Sequence, residues 1–398
     1  MDDALADSRF ADPVWLREHR EAVIDFYYPT CMDDERGGYV AQLTEETGEV
    51  YDGDAKHLVA TCRFVVNFCR LARDGGPDWA LPAAEHGVDF LLNAHRADDG
   101  GYHWLLDGTE PVDSHRSAYG HAFALLALAE ATSVGIDGAR EALDETYEVV
   151  DEHFWEASQG LCRSDLDADW EPQESYRGQN ANMHACEAHL AAYDATGDER
   201  YLDRATRIAR RLTVDLAGET GGRIWEHYTT DWTHDFDYNR DDKRHQFRPW
   251  GYQPGHHAEW AKLLTELSHH TDATWPLERA EDLFAHTVGD GWDDEHGGLV
   301  YTHNPDGETI VADKYGWPVA EAIGAAARLA DATGEEWYVE WYDRLWTYAV
   351  ENLVAPGGNW YAKLTPDNEP VDTDDGPAVE PGYHPVGAVE ASLAVFDE

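Results

Sequence analysis

EHGGLVY, at Glu295–Tyr301, is one of six versions of a single short phrase in this chain. The others are DERGGYV at Asp34–Val40, DDGGYHW at Asp98–Trp104, SQGLC at Ser158–Cys162, GGRIW at Gly221–Trp225 and PGGNWY at Pro356–Tyr361. Each carries glycine into an aromatic or aliphatic residue, mostly from an acidic or polar turn. Five keep a Gly-Gly pair and the third keeps only Gly160. They recur about every 60 residues, with one gap of roughly 75, and a fixed period marks one structural unit repeated.

Between the phrases, apolar residues recur at three- and four-residue spacing, which predicts helices. The pattern runs through Val14–Tyr28, Asp54–Ala72, Trp79–His95, His115–Ala131, Ala139–Trp155 and Gln179–Thr196. It continues in Glu199–Leu216, Pro254–His270, Trp275–His286, Lys314–Thr333, Trp337–Leu353 and His384–Phe396. Two helices per repeat and no Pro/Gly/Ser-rich linker predict an all-α fold, an (α/α)6 toroid. It would span 1–398 as one domain, with at most short strands at the Gly-Gly turns. An open solenoid is the alternative, but similar hairpins bury both ends by closing on themselves. The even-numbered helices are rich in alanine and should form the inner ring. Residues 217–253 are irregular and too long for an ordinary connection, which suggests a lid, a pocket wall or an interface.

The chain holds 80 acidic and 29 basic residues, a formal charge of −51, and only five lysines. The acids are spread along the whole chain rather than gathered in a tail, a pattern like that of halophile proteins. At about 1 M salt the Debye length falls to roughly 3 Å and screens such self-repulsion, so folding is expected to need molar salt. Nucleic acid is a poor partner for this surface, because binding it needs Lys and Arg to displace counterions. No run approaches the roughly 18–20 apolar residues of a membrane span, and Met1–Ala11 is polar, with no signal-peptide pattern. A cytoplasmic protein is expected, and self-association into a homo-oligomer stays open. Five cysteines without a CxxC pair suit reduced, buried thiols. There is no Walker loop, no GxGxxG opening a helix and no GxSxG elbow, and no cofactor is expected.

Polar residues gather near the starts of the proposed inner helices. The second helix brings Asp54, Lys56, His57 and Arg63; the fourth brings His115, Arg116, Tyr119 and His121. The sixth opens RGQNANMHACEAHL, with Asn180, Asn182, His184 and Glu187, and the eighth opens PGHHAEWAKLL, with His256, His257 and Glu259. The tenth offers Lys314, Trp317 and Glu321, and the twelfth begins at His384. Six helices in one register would deliver these groups to one mouth of the barrel. For His57, His121 and His189 a helix cap or satisfied core position is the commoner role, and Asn180 and Asn182 are equally natural as caps. Lys314 stands out because lysine is scarce, yet it would also serve as the partner of an acid. Arg248 closes a mixed-charge cluster in the irregular segment. His256 and Glu259, three apart, share one helical face. That spacing suits a carboxylate orienting a histidine, or half of a metal site. No second such pair is read at a matched position, so the metal reading is the weaker.

Here RGQNANMHACEAHLAAYDATGDERYLDRA, PGHHAEWAKLL, DKYGWPVAEA and the late GYHP resemble the N-acylglucosamine 2-epimerase superfamily. The QNANMH and PGHxxEW strings are most similar to its mannose isomerase and sulfoquinovose isomerase branch. The resemblance covers nearly the whole chain in the same order. It implies an (α/α)6 barrel and metal-independent interconversion of sugars. It also implies acid/base roles for His256 and His384, and puts His184, Glu259 and Arg63 in the pocket of a monosaccharide. Lys363, in WYAKL, departs from the neutral or amide residue of some relatives and would favour an anionic group.

An aldose–ketose isomerase needs ring opening, a base for the C2 proton and its return at C1. Histidine titrates near neutrality and can do both. On this reading His384 shuttles the proton, and His256, oriented by Glu259, handles ring opening and the hydroxyl protons. Arg63 and His184 stabilise the oxyanion. Trp317 offers a flat face for sugar C–H groups. Asn180, His121, Arg248, Glu321 and Lys314 complete the candidate substrate-binding set. A 2-epimerase of the N-acylglucosamine or cellobiose type uses nearly the same groups. A glycoside hydrolase or lyase would need paired carboxylates, for which Glu187, Glu259 and Glu321 are available, but would leave the histidines idle. A non-catalytic sugar-binding toroid would not call for them either.

Overall fold

The computed structural model describes residues 8–245, 247–372 and 378–396. The first seven residues of the polar segment Met1–Ala11 lie outside the described residues. Backbone geometry explains the repeated glycines. Gly37 and Gly38 have φ of +89° and +69°, and Gly297 and Gly298 have +74° and +77°, a region that residues with a Cβ rarely adopt. A Cβ on Gly38 would lie 2.6 Å from the Phe90 ring, and one on Gly298 would lie 2.5 Å from Tyr348. These two phrases are thus tucked beneath an aromatic side chain of the next outer helix.

The outer helices are α1 (Pro13–Tyr27), α3 (Ala80–Phe90), α5 (Ala139–Val149), α7 (Glu199–Arg210), α9 (Trp275–Gly291) and α11 (Glu336–Tyr348). The inner ones are α2 (Leu58–Arg73), α4 (Ala118–Ser133), α6 (Gln179–Thr196), α8 (Pro254–Ser268), α10 (Gly316–Thr333) and α12 (Tyr383–Phe396). Successive inner helices pack on one another, and α12 returns to α1 and α2, closing the ring. The alanines of α4 allow this: Gly120–Ala131 is buried at every position. The outer α7 buries one face, Tyr201, Arg204, Ala205, Ile208 and Ala209, as expected of a helix with solvent on its other side. The Tyr342 hydroxyl donates to the Phe10 carbonyl at 3.0 Å and ties the ends of the chain together. The hydrophobic core runs from Phe10 to Val395. All five cysteines are buried and free. Among the described residues no helix is long and apolar enough to cross a membrane.

Among the described residues, short antiparallel strands cap one end of the ring in five small sheets, and three predicted helix starts are corrected. The chain at Ala55–His57 is a strand, and α2 begins at Leu58, where His57 Nδ1 accepts from the Val59 amide at 3.1 Å. His115 and Arg116 precede α4, whose first residue is Ala118. Lys314 belongs to the strand Thr309–Tyr315, hydrogen-bonded between Val300–His303 and Lys363–Leu364.

An ion pair explains the strands that lead into α2 and α10. Asp33 accepts from the Glu35 and Arg36 amides of its own turn and from Lys56 Nζ at 2.8 Å. Asp293 does the same for Glu295, His296 and Lys314 Nζ, the last at 2.7 Å. Each aspartate fastens a glycine turn to the strand that feeds an inner helix. Lys56 and Lys314 are therefore buried structural partners.

Candidate active site

A cavity of about 230 Å³ opens at the strand-bearing end of the barrel. Arg63 of α2, Asn180 and His184 of α6, His256 and Glu259 of α8, Trp317 of α10 and His384 of α12 all line it. Three histidines there share one arrangement. His184 Nδ1 lies 2.9 Å from Glu187 Oε2, His256 Nδ1 lies 2.9 Å from Glu226 Oε2, and His384 Nδ1 lies 2.7 Å from Glu321 Oε1. All six side chains are nine-tenths or more buried. A carboxylate facing Nδ1 favours the tautomer protonated there and leaves Nε2 as the basic nitrogen.

The partner of His256 differs from the expected one. Glu259 does share a helical face with it, but its carboxyl turns toward the barrel axis, with Oε1 3.7 Å from His184 Nδ1. Glu226, in the segment that follows the fourth glycine phrase, reaches His256 instead. Gln179 also meets this pair: its Oε1 accepts from Trp260 Nε1 at 2.8 Å, so its amide nitrogen donates to Glu226 Oε2 at 2.9 Å and lies 2.8 Å from His256 Nδ1, a contact that is a hydrogen bond only in the tautomer whose Nδ1 carries no proton. A second His/Glu pair at three-residue spacing also exists, His184 and Glu187 on α6, and this one is bonded.

His384 Nε2 lies 3.4 Å from Arg63 Nη2. The guanidinium donates to the Val379 carbonyl at 2.7 Å and to Glu380 Oε2 at 2.9 Å, and packs over the Phe123 and Tyr383 rings. It presents a fixed positive charge beside His384 Nε2. Trp317 stands between the catalytic candidates, its ring centroid 5.0 Å from that of His256 and 5.8 Å from that of His384. Gly255 makes room for it, because a Cβ there would lie 2.5 Å from the indole. Asn180 Oδ1 is buried without a hydrogen-bond partner and lines the cavity.

The charges within the cluster are unequal. Burial, and then the neighbouring Glu321, push the Glu259 carboxyl well above the usual carboxylate range, and its buried Oε1 has no hydrogen-bond partner. Burial also opposes the charge on Glu321, but Lys262 and His384 outweigh it and hold that carboxyl down to about 2. Burial pushes the His184 imidazole down to about 4, against the pull of Glu187. At neutral pH the site thus holds an ionised Glu321 and a neutral His184, while burial and the charge on Glu321 bias Glu259 toward the protonated form that can donate a hydrogen bond.

Five of the residues singled out from the sequence lie outside the cavity wall. His121 is buried in the core, its Nδ1 2.7 Å from the Ser117 carbonyl and its Nε2 accepting from the Tyr102 amide at 3.2 Å. Lys314 is spent on Asp293. Arg248 pairs with Asp165 at 2.5 Å and with Glu174, beside an adjoining cavity. Glu321 sits behind His384. Lys363 is paired with Asp313 at 2.9 Å. Glu226, Gln179 and Glu380 escaped the sequence reading; only the GGRIW phrase immediately before it gave Glu226 any mark. From the irregular segment, Phe247 and Gln253 line the cavity.

Among the described residues, two groups bring metal-type ligand atoms within 4.8 Å of one another: His184, Glu187 and Glu259, and Glu259, Glu321 and His384. The histidine of each group is already paired, His184 with Glu187 and His384 with Glu321, and the Lys262 ammonium contacts Glu321 inside the second group. A metal ion would have to displace it.

The family model for N-acylglucosamine 2-epimerase (GlcNAc 2-epimerase) matches residues 37–388. The chain is 40% identical over 381 residues to the D-mannose isomerase of Marinomonas mediterranea, covering 95% of this chain and 96% of that one. It is 39% identical over 372 residues to the D-mannose isomerase of Thermobifida fusca, covering 92% and 90%. A crystal structure of a D-mannose isomerase superposes with a TM-score of 0.94 at 39% identity, over 97% of this chain and 99% of that chain. With its closed ring of six helical hairpins, the chain is an (α/α)6 barrel that belongs to the N-acylglucosamine 2-epimerase family.

Proposed function

We propose that this protein is an aldose–ketose isomerase acting on an uncharged hexose of the mannose/fructose type. The observation that carries the reading is His384: its Nδ1 is held by Glu321, and its Nε2 faces the cavity beside Arg63. Nε2 removes the C2 proton of the open-chain aldose and returns it to C1, and Arg63 stabilises the enediolate oxygen between the two steps. His256, oriented by Glu226, opens the ring and moves the proton between O2 and O1. Neutral Glu259 and His184 hydrogen-bond the sugar oxygens, and Trp317 receives its C–H face. Each step has a proton donor or acceptor in the pocket, so the chemistry is proposed to run without a metal ion.

An uncharged sugar is favoured over an anionic one because Lys363, Arg248 and Arg63 each already contact a carboxylate. Lys363 is paired with Asp313, Arg248 with Asp165 and Glu174, and Arg63 with Glu380. The identity to D-mannose isomerases supports the same sugar class. The test is NMR in D2O at high salt with mannose, glucose, fructose, N-acetylmannosamine and sulfoquinovose. Ketose formation with deuterium at C1 or C2, unaffected by a chelator, is the expected result. Inversion at C2 without ketose would make the protein an epimerase, and glycoside hydrolysis or no turnover would overturn the proposal.

A further inference from the structure

Lys262 plays no part in the reading so far, yet it is the lysine nearest to the chemistry. It lies on α8, one turn after Glu259, and is only 9% exposed. Lysine is seldom buried unless paired. Its ammonium contacts Glu321 Oε2, on the opposite side of that carboxylate from His384. The backbone opposite makes room: a Cβ on Gly324, one turn after Glu321 on α10, would lie 3.1 Å from Lys262 Cδ. Lys262 does not line the sugar cavity. It lines a second cavity of about 660 Å³ at the other end of the barrel, together with Arg70, Glu130, Glu187, Glu266 and Glu390.

We propose that Lys262 is a positioning residue for the proton transfer: from the far side of the barrel it pins Glu321 through Oε2, so that Oε1 fixes the His384 ring. The inference rests on the isomerase reading of His384. The groups facing this pair are Lys262 and Glu259 from α8, Glu187 from α6, Arg63 from α2, His384 from α12 and Glu380 from the preceding loop. Lys262 is the cation that touches Glu321 directly. Without it, a buried carboxyl beside Glu259 takes up a proton and can turn away from Nδ1. His384 then loses the acceptor that sets its tautomer.

The test compares wild type with Lys262→Met, Glu321→Gln and the double variant. For whichever sugar the wild type turns over, Lys262→Met should lower kcat about 10- to 100-fold with KM nearly unchanged, since the ammonium never meets the sugar. The acid limb of its kcat profile should move to higher pH. The double variant should be no slower than Glu321→Gln, because the lysine acts only through Glu321. Infrared difference spectra need no turnover: Lys262→Met at neutral pH should show a new protonated-carboxyl band that Glu321→Gln removes. The infrared result therefore separates failure of this inference from failure of the isomerase reading. Wild-type kcat and pH profile in Lys262→Met, additive losses in the double variant, or no new band would each overturn it. Should Lys262→Met fail to fold, Lys262→Gln carries the same comparison.

Discussion

Replacing Glu226 with glutamine separates two accounts of His256. Both side chains are buried, at 3% and 6% exposure, and they meet at 2.9 Å. Glutamine keeps the shape and one acceptor oxygen, so the ring and Gln179 can hold their places. What is lost is the negative charge that stabilises the imidazolium formed during ring opening. A hydrogen bond to a charged group is worth about 1.5–3 kcal/mol and a neutral one about 1. The difference, about 0.5–2 kcal/mol, corresponds to a kcat roughly 2- to 30-fold lower. The assay is initial-rate ketose formation at saturating sugar, with melting temperatures measured in the same buffer to confirm folding. Kinetics of Glu226→Gln within twofold of wild type at an unchanged melting temperature would refute the assignment of Glu226, and with it the orientation of His256.

Three further outcomes are expected. His384→Gln should lower kcat about 10²- to 10⁴-fold, the usual contribution of a general base, with a normal melting curve; turnover near wild type in the NMR assay would remove His384 from the mechanism. Burial lowers His57, His121 and His189 to about 3, and His95, His184 and His227 to about 4, from 6.5. Because the folded values lie below the unfolded one, this stability is complete above about pH 6.5 and is lost as pH falls toward 4 and 3. A melting temperature at fixed salt that stays flat from pH 7 to pH 5 would contradict it. With a formal charge of −51, the melting temperature should drop on dialysis from molar KCl into dilute buffer, and calorimetry showing no change would dismiss the requirement for salt.

The repeat made the barrel legible from the chain alone. Glycine at a fixed period is a local steric demand, visible wherever a φ near +70° to +90° is needed, and alanine-rich even helices declare which ring is inner. Arg63, Asn180, His184, His256, Glu259, Trp317 and His384 could be read as one site because they begin or line inner helices in a common register. Their partners could not. Helical spacing says that His256 and Glu259 share a face, but not which way either side chain turns. Tertiary packing sends His256 to Glu226, back in the irregular segment that leads into α8, and turns Glu259 into the buried cluster, where burial raises its carboxyl above the usual range. The scarce lysines show the same limit. Composition marks them as unusual, but only the fold separates Lys56 and Lys314, fastened to glycine turns, from Lys262 at the back of the active site. Periodicity is a property of neighbours along the chain, whereas a charge takes its role from whatever the closed ring brings within about 3 Å of it.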